Sequence, residues 1–238
     1  MDTIQHNSAR LYNCDETGIT VVQHKHTKIL ELKGKRQISS LQSAERRSLV
    51  TVVTCVSPSG HFIPPLLVFP KKNMKQELMN GMPTGSVHAC HPSGCFPVVS
   101  SFHQTFKADK RRSCYLSTEQ ALFTHQEPGG HYFTQGNHVD IICLPPYSSH
   151  KMQPLDKAFV GPLEIFYCQE IEKWLCSHPG RVINVYQFGE LFGNAYRRAA
   201  TSEIAANGFG RQASFLVTRT SSDHMISLCP QTTQMLLL

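Results

Sequence analysis

The sequence predicts a layered fold, α/β or α+β, in which a β-sheet packs against helices. Two observations lead to this prediction. Apolar and β-branched runs typical of strands occupy the first part of the chain, and apolar residues at helical spacing follow from Pro162 onward. A length of 238 residues and a hydrophobic content of 40% suit one large or two small globular domains.

Four segments of the chain predict strands. Leu11–Val22 mixes apolar and β-branched residues and predicts a strand that ends near Asp15. Ser48–Val56 predicts a second strand, and a Ser-Pro-Ser-Gly turn separates it from a hairpin partner at His61–Phe69. Two prolines in that partner indicate an edge position or a bulge. Val139–Leu144 predicts a short buried strand that a Pro-Pro pair ends.

Three helices are expected in the second part of the chain. The first has Pro162 in its opening turn and ends at His178–Gly180. Its apolar residues, including the aromatic stripe predicted to lie in the core, are Leu163, Phe166, Tyr167, Ile171, Trp174 and Leu175. The second is predicted over Val185–Ala200 and the third over Glu203–Asn207.

Two stretches differ from the rest of the chain. Residues from about Cys95 to Gly136 mix Arg, Ser, Gln and His with isolated aromatic residues and show no clear periodicity. Residues Gly210–Leu238 are rich in Ser and Thr and end in Met-Leu-Leu-Leu, which predicts a disordered tail.

Two aspartates, far apart in the sequence, closely follow strand-like runs. Asp15 stands in Asn13–Gly18, and Asp156 stands in the run Leu144–Lys157. Carboxylates brought together from distant strands are what a two-metal phosphodiester site requires, since Mg²⁺ prefers carboxylate and water oxygens. From the residues alone, Asp15 could equally be a turn or cap residue, and Asp156 the N-cap of the helix that follows.

Basic residues concentrate between the first two predicted strands, and the formal net charge is +6. The candidates for contacts to nucleic-acid phosphates are Lys33, Lys35, Arg36, Arg46 and Arg47. A solvated basic face is the alternative interpretation of the same residues. The charge is compatible with a polyanionic partner and does not require one.

Seven motifs together resemble the DDE endonuclease domain of pogo/Tigger-type transposases, within the Tc1/mariner superfamily. They are Asn13–Gly18, Leu32–Arg36, Ser48–Val53, Gly60–Pro65, Ile142–Pro146, Ser148–Asp156 and Gly193–Tyr196. The resemblance covers roughly residues 10–94 and 137–209.

The resemblance implies an α/β, ribonuclease H-like domain over residues 1–209, with a mixed sheet flanked by helices. In this family three acids bind two Mg²⁺ ions and cut or join DNA by in-line attack. By position, Asp15 corresponds to the first acid and Asp156 to the third. The second acid normally ends an apolar strand, and no such strand is evident within residues 95–136. The central strand and crossover helix are therefore expected to be disrupted.

A shifted reading frame is our hypothesis for residues 95–136. With suitable codons, Leu122–Glu127 read one base over gives a sequence similar to the family's residues after its second acid. Ser222–Ser227 in the tail behaves in the same way. If the transcript read one base over restores no aspartate-containing strand, the hypothesis is wrong.

These patterns predict a transposase-derived, DDE endonuclease-like domain that binds DNA and is catalytically inactive because the second metal-binding acid is missing. The alternatives are a domesticated, non-catalytic DNA-binding fragment and a decayed transposon product that does not fold stably. The resemblance implies a nuclear location. With no apolar run of about 18 residues and no signal peptide, neither a membrane partner nor secretion is expected. Nine scattered cysteines favour reduced thiols in an intracellular compartment.

Overall fold

The computed structural model describes residues 11–22, 48–92 and 152–210 in full, and residues 114–118 and 139–143 as backbone. Six strands are assigned: β1 (Leu11–Thr20), β2 (Leu49–Val56), β3 (Phe62–Phe69), β4 (Val87–Cys90), β5 (Cys114–Thr118) and β6 (Val139–Cys143). A 3-10 helix covers Gln76–Met79, and three α-helices follow: α1 (Pro154–Ala158), α2 (Val160–Ser177) and α3 (Val185–Ala199). Residues 202–210 are also helical. The predicted disordered tail lies beyond residue 210, outside the described residues.

The strands form one mixed sheet in the order β4-β3-β2-β1-β5-β6. β1, β2 and β3 pair antiparallel as successive neighbours, whereas β5 pairs parallel with β1 and β6 pairs parallel with β5. At the other edge β4 pairs parallel with β3. This mixed sheet packed against helices confirms the predicted α/β fold class.

The first strand is longer than the sequence predicts. β1 does not end near Asp15 but continues to Thr20, because every residue from Asn13 to Thr20 has a partner in β2. These ladder partners outweigh the low strand propensity of Asp, Glu and Gly in this segment. Asp15 therefore lies in the middle of β1, opposite Thr54 of β2.

A central strand is present in a stretch where no sequence pattern predicts one. Cys114–Thr118 lies between β1 and β6, so the expectation that the central strand is disrupted is wrong for these residues. Five residues are too few for alternation to be recognised, and the pairing on both sides defines the strand instead. The expected crossover helix falls on residues 119–138, outside the described residues.

The second hairpin strand contains the predicted irregularity. The pairing of β2 with β3 shifts register between Val53 and Cys55, beside the two prolines of β3. β3 is not an edge strand, since β4 pairs with Leu66–Phe69, after the prolines. The bulge prediction is thus confirmed, and the two prolines lie in the part of β3 that precedes its pairing with β4.

Helices α2 and α3 pack on one face of the sheet. Alternate residues of β1, including Leu11 and Ile19, share one apolar cluster with both helices. Two buried tyrosines join this layer to the strands: the hydroxyl of Tyr167 donates to the carbonyl of Val21, and that of Tyr196 donates to the carbonyl of Ile63. Burial raises the pKa of both phenols above the ordinary value, so they remain neutral donors.

The predicted helices are largely confirmed. α2 includes Pro162 in its first turn, and α3 begins at Val185 and ends one residue before the predicted boundary. Of the predicted aromatic stripe on α2, Tyr167 is buried, while Phe166 and Trp174 pack partly buried against the core.

Candidate functional site

Asp15 projects from the middle of the sheet toward the helical layer. Side chains alternate along a strand, so Asp15 shares a face with Leu11, Asn13 and Ile19. Leu11 and Ile19 are buried in the core beneath the helices, and Asp15 is half-buried between them. The carboxylate is thus held on a rigid strand at the boundary between core and solvent.

Asn13 fixes the helix that carries Asp156. The Oδ1 atom of Asn13 accepts a hydrogen bond from the backbone N–H of Leu155 at 3.2 Å. Gln153 occupies the N-cap position of α1 and provides no side-chain cap, so a residue of β1 satisfies an N–H group of the first turn instead. Asp156 lies in that first turn and is exposed. It is therefore not the helix N-cap.

Gln153 makes a second connection between the same two segments. Its Nε2 atom donates to the carbonyl oxygen of Cys14 at 3.3 Å, and its side chain is 0% exposed. Within the described part of the chain, the Oε1 atom of Gln153 has no hydrogen-bond partner. An unsatisfied buried acceptor costs about 1–3 kcal/mol, so this oxygen is available to a donor or a cation.

The residues before Asp15 are thus bonded to the residues before Asp156. Asn13 and Cys14 of β1 hold Leu155 and Gln153, so the two aspartates stand on adjoining segments although they are 141 positions apart in the sequence. The sequence identified both acids. It did not identify Asn13 or Gln153. The sequence signal that could have found them is a single polar residue between two apolar neighbours.

The carboxyl end of β5 reaches the same region. Ser117 pairs with Asn13, and β5 ends one residue later at Thr118. The sequence Cys-Tyr-Leu-Ser-Thr of this strand contains no carboxylate. The strand that approaches the two aspartates from the other side of β1 thus contributes no acid over residues 114–118.

The neighbouring carboxyl of Glu16 differs in environment from Asp15. Alternation places it on the opposite face of β1, where the residue is exposed and partial desolvation still raises the pKa of its carboxyl. Burial also raises the pKa of the Cys14 thiol on that face, where Cys14 and Cys55 are directly opposed. Glu16 therefore projects away from Asp15 and is not part of the candidate site.

The residues at the candidate site fit Mg²⁺ in donor type. Two aspartate carboxylates and one free amide oxygen are the oxygen donors that this cation prefers. Within residues 11–22, 48–92 and 152–210, no group of three or more His, Cys, Asp or Glu residues is placed to hold a metal ion. The described site therefore supplies two carboxylates, one fewer than the three acids that the resemblance implies.

The predicted basic contacts cannot be placed beside this site. Lys33, Lys35, Arg36, Arg46 and Arg47 all lie outside the described residues. The ends of their segment are defined, however, because the N–H of Val21 donates to the carbonyl of Ser48 at 2.9 Å. The segment therefore leaves and re-enters the sheet at one point.

Comparison with known proteins finds similar solved structures. A Mos1 transposase paired-end complex with left transposon end has a TM-score of 0.46 and 13% identity, over 87% of this chain and 56% of that chain. A Mos1 mariner paired end complex with Mn has a TM-score of 0.44 and 12% identity, over 88% of this chain and 56% of that chain. The chain thus spans little more than half the length of these transposase chains.

Sequence comparison gives one short match. The chain is 34% identical over 73 residues to an MFS-type transporter, clz9, of Cochliobolus lunatus, which covers 31% of this chain and 8% of that protein. No family model matches the chain. In the described residues, no helix is long and apolar enough to span a membrane.

Proposed function

We propose that the chain is a transposase-derived, DDE-type domain of the pogo/Tigger kind that binds DNA and does not cleave it. The observation that carries this proposal is the docking of α1 on β1. Asn13 and Gln153 hold the segments of Asp15 and Asp156 together, beside a strand end that offers no carboxylate over residues 114–118.

The missing carboxylate is the reason for proposing inactivity. A metal pair stabilises both the attacking and the leaving oxygen of an in-line displacement, and it needs enough anionic ligands to hold two cations at short separation. Asp15 and Asp156 would bind a single Mg²⁺ ion, with the Oε1 atom of Gln153 as a neutral ligand. Asn13 would keep the segment of Asp156 in place while the cation binds.

DNA is the proposed partner for two reasons. The motifs resemble those of transposases, which cut or join DNA, and the net charge of +6 is compatible with a polyanion. Lys33, Lys35, Arg36, Arg46 and Arg47 are proposed to contact phosphates, which predicts binding that weakens with salt. A nuclear location follows from the same proposal.

Cleavage assays test the proposed inactivity. The purified chain should leave supercoiled plasmid intact with Mg²⁺ or Mn²⁺, while fluorescence anisotropy with a labelled duplex should show salt-sensitive binding. Cation binding measured by calorimetry should be lost in Asp15→Asn and in Asp156→Asn. Glu16→Gln is the matched control, because that neighbouring carboxyl lies on the opposite face of β1.

Cleavage that requires both aspartates would overturn the inactivity. In that event Glu119→Gln would test whether Glu119 supplies the missing second acid. Glu119 follows β5 directly in the sequence and lies outside the described residues. The alternative of a chain that does not fold stably predicts a non-cooperative urea transition; a single cooperative transition contradicts it.

A further inference from the structure

A lysine-rich turn follows β3 and meets the first turn of α3. The buried rings of Phe69, which ends β3, and Phe188 of α3 contact each other edge to face at 6.1 Å between centroids. Lys71 follows Phe69 by two positions, and Tyr186 precedes Phe188 by two. The buried aromatic pair therefore fixes the place where Lys71 and Tyr186 meet at the surface.

Two ammonium groups converge on the Tyr186 ring. The Nζ atom of Lys71 lies 5.7 Å from the ring centroid and that of Lys75 lies 5.6 Å from it. Both distances are within the range of a cation–π contact, and Tyr186 remains 36% exposed. Lys71, Lys75 and Tyr186 are called the lysine–tyrosine patch below.

The positive charge of this patch is not neutralised by a described neighbour. Over residues 11–22, 48–92 and 152–210, neither Lys71 nor Lys75 forms a salt bridge; the ion pair Arg198–Glu170 lies between α2 and α3. Glu77 is the acid whose charge acts on Lys75, and its effect is smaller than that of Tyr186. Hydrogen bonding to Tyr186 raises the pKa of Lys75, so its charge persists well above neutral pH.

The patch follows the end of β3, which lies beside the end of β1 and the start of β2. Thr20 pairs with Leu49, and Thr51 pairs with Val68, so the end of β1, the start of β2 and the end of β3 are adjacent. Residues 23–47, which join β1 to β2 in the sequence, lie outside the described residues. Since neighbouring strands are about 4.8 Å apart, β1 and β3 are separated by only about 10 Å.

We propose that the lysine–tyrosine patch is a nucleic-acid contact in which the two ammonium groups bind a backbone phosphate of DNA. This inference rests on the proposed DNA-binding function and adds a second contact to it. Two like charges held around one ring favour a shared anion between them. The exposed phenol offers a hydrogen bond or a stacking face beside that phosphate. A nucleic-acid backbone supplies such phosphates at regular spacing.

Salt-dependent DNA binding tests the proposal. The wild-type chain and Lys71→Ala/Lys75→Ala are compared by fluorescence anisotropy with a labelled duplex at several salt concentrations. Loss of the shared phosphate contact should weaken binding by roughly tenfold and lower the slope of log K against log salt by about 0.9. Lys71→Arg/Lys75→Arg keeps both charges and should restore the slope.

Matched variants separate this contact from a general charge effect. Lys75→Ala and Lys173→Ala each remove one exposed lysine, and only the first should lower the slope. An unchanged slope in Lys71→Ala/Lys75→Ala, with wild-type binding intact, overturns the patch and leaves the proposed function standing. Absence of wild-type binding at low salt overturns both.

Inorganic phosphate distinguishes a small-anion site from a nucleic-acid contact. It is titrated into the wild-type chain and the double alanine variant, with chemical shifts as the readout. Phosphate binding that the double variant loses, without any change in DNA affinity, overturns the proposal. Circular dichroism of every variant should retain the wild-type cooperative unfolding, because these side chains lie at the surface.

Discussion

The Oδ1 atom of Asn13 accepts a hydrogen bond from the backbone N–H of Leu155 at 3.2 Å, across 142 positions of sequence. Through this bond a residue of the central sheet acts as the cap of a helix. It also fixes the segment of Asp156 relative to the strand of Asp15. One buried amide thus serves both the stability of the domain and the geometry of the candidate site.

Removing that amide should lower both stability and cation affinity. Asn13→Ala leaves the Leu155 N–H unsatisfied in a buried position and should reduce the free energy of unfolding by about 1–3 kcal/mol. Urea denaturation measures the change, and calorimetry measures Mg²⁺ binding. Asn184→Ala is the matched control, since Asn184 caps α3 through the Tyr186 N–H and lies in a different part of the chain. Equal loss of cation affinity in both variants would contradict the positioning role of Asn13.

Substitution by alanine should have opposite effects on stability at two helical glycines. A Cβ atom at Gly193 of α3 would lie 2.0 Å from the carbonyl oxygen of Gly81, whereas one at Gly161 of α2 would meet nothing within 4 Å. Gly193→Ala should destabilise by about 2 kcal/mol or more because backbone must move. Gly161→Ala should be neutral or stabilise by up to about 1 kcal/mol, since alanine is the better helix former. Thermal unfolding decides between them, and a neutral Gly193→Ala would contradict the close packing of α3.

Stability should depend on the protonation of Glu16. Partial desolvation raises the pKa of this carboxyl in the folded protein above its ordinary value. A raised folded-state pKa contributes stability that is present below the unfolded pKa and is lost as pH rises through the folded pKa. Glu16→Gln should therefore gain stability relative to wild type between pH 4 and pH 7, measured by urea denaturation at each pH. If the difference in unfolding free energy between Glu16→Gln and wild type stays constant or shrinks as pH rises, the pKa of Glu16 is not raised in the folded protein.

Arg198 should stabilise the contact between α2 and α3 through several partners. Its guanidinium lies 4.2 Å from the centroid of Phe166 and donates to Glu170 at 3.2 Å and to Gln169 at 2.8 Å. Arg198→Ala leaves the largely buried Glu170 with the amide of Asn194 as its hydrogen-bond donor in the described helices, and should cost about 1–2 kcal/mol. A double-mutant cycle with Glu170→Gln measures the pairwise part. A coupling energy near zero would assign the effect of Arg198 to its contacts with Phe166 and Gln169.

Local sequence patterns predicted much of the helical layer and the hairpin. The apolar repeat and proline of α2, the boundaries of α3 and the β2–β3 hairpin agree with the structure because each depends on residues close in sequence. The two aspartates were found in the same way, as acids after apolar runs. The frame-shift hypothesis for residues 95–136 stays a prediction, which sequencing the transcript across residues 90–140 would test.

The sequence alone determined which segments are apolar, the position of α2 and α3, and which two aspartates are candidates for a shared site. Only the tertiary structure decided the full length of β1, the presence of β5, the capping of α1 by Asn13 and the meeting of Lys71 with Tyr186. Each of these depends on a partner distant in the chain: a ladder hydrogen bond, a buried amide or a packed ring. Such partners leave no periodic signal in either segment, because the free energy of the contact arises only when the two surfaces meet.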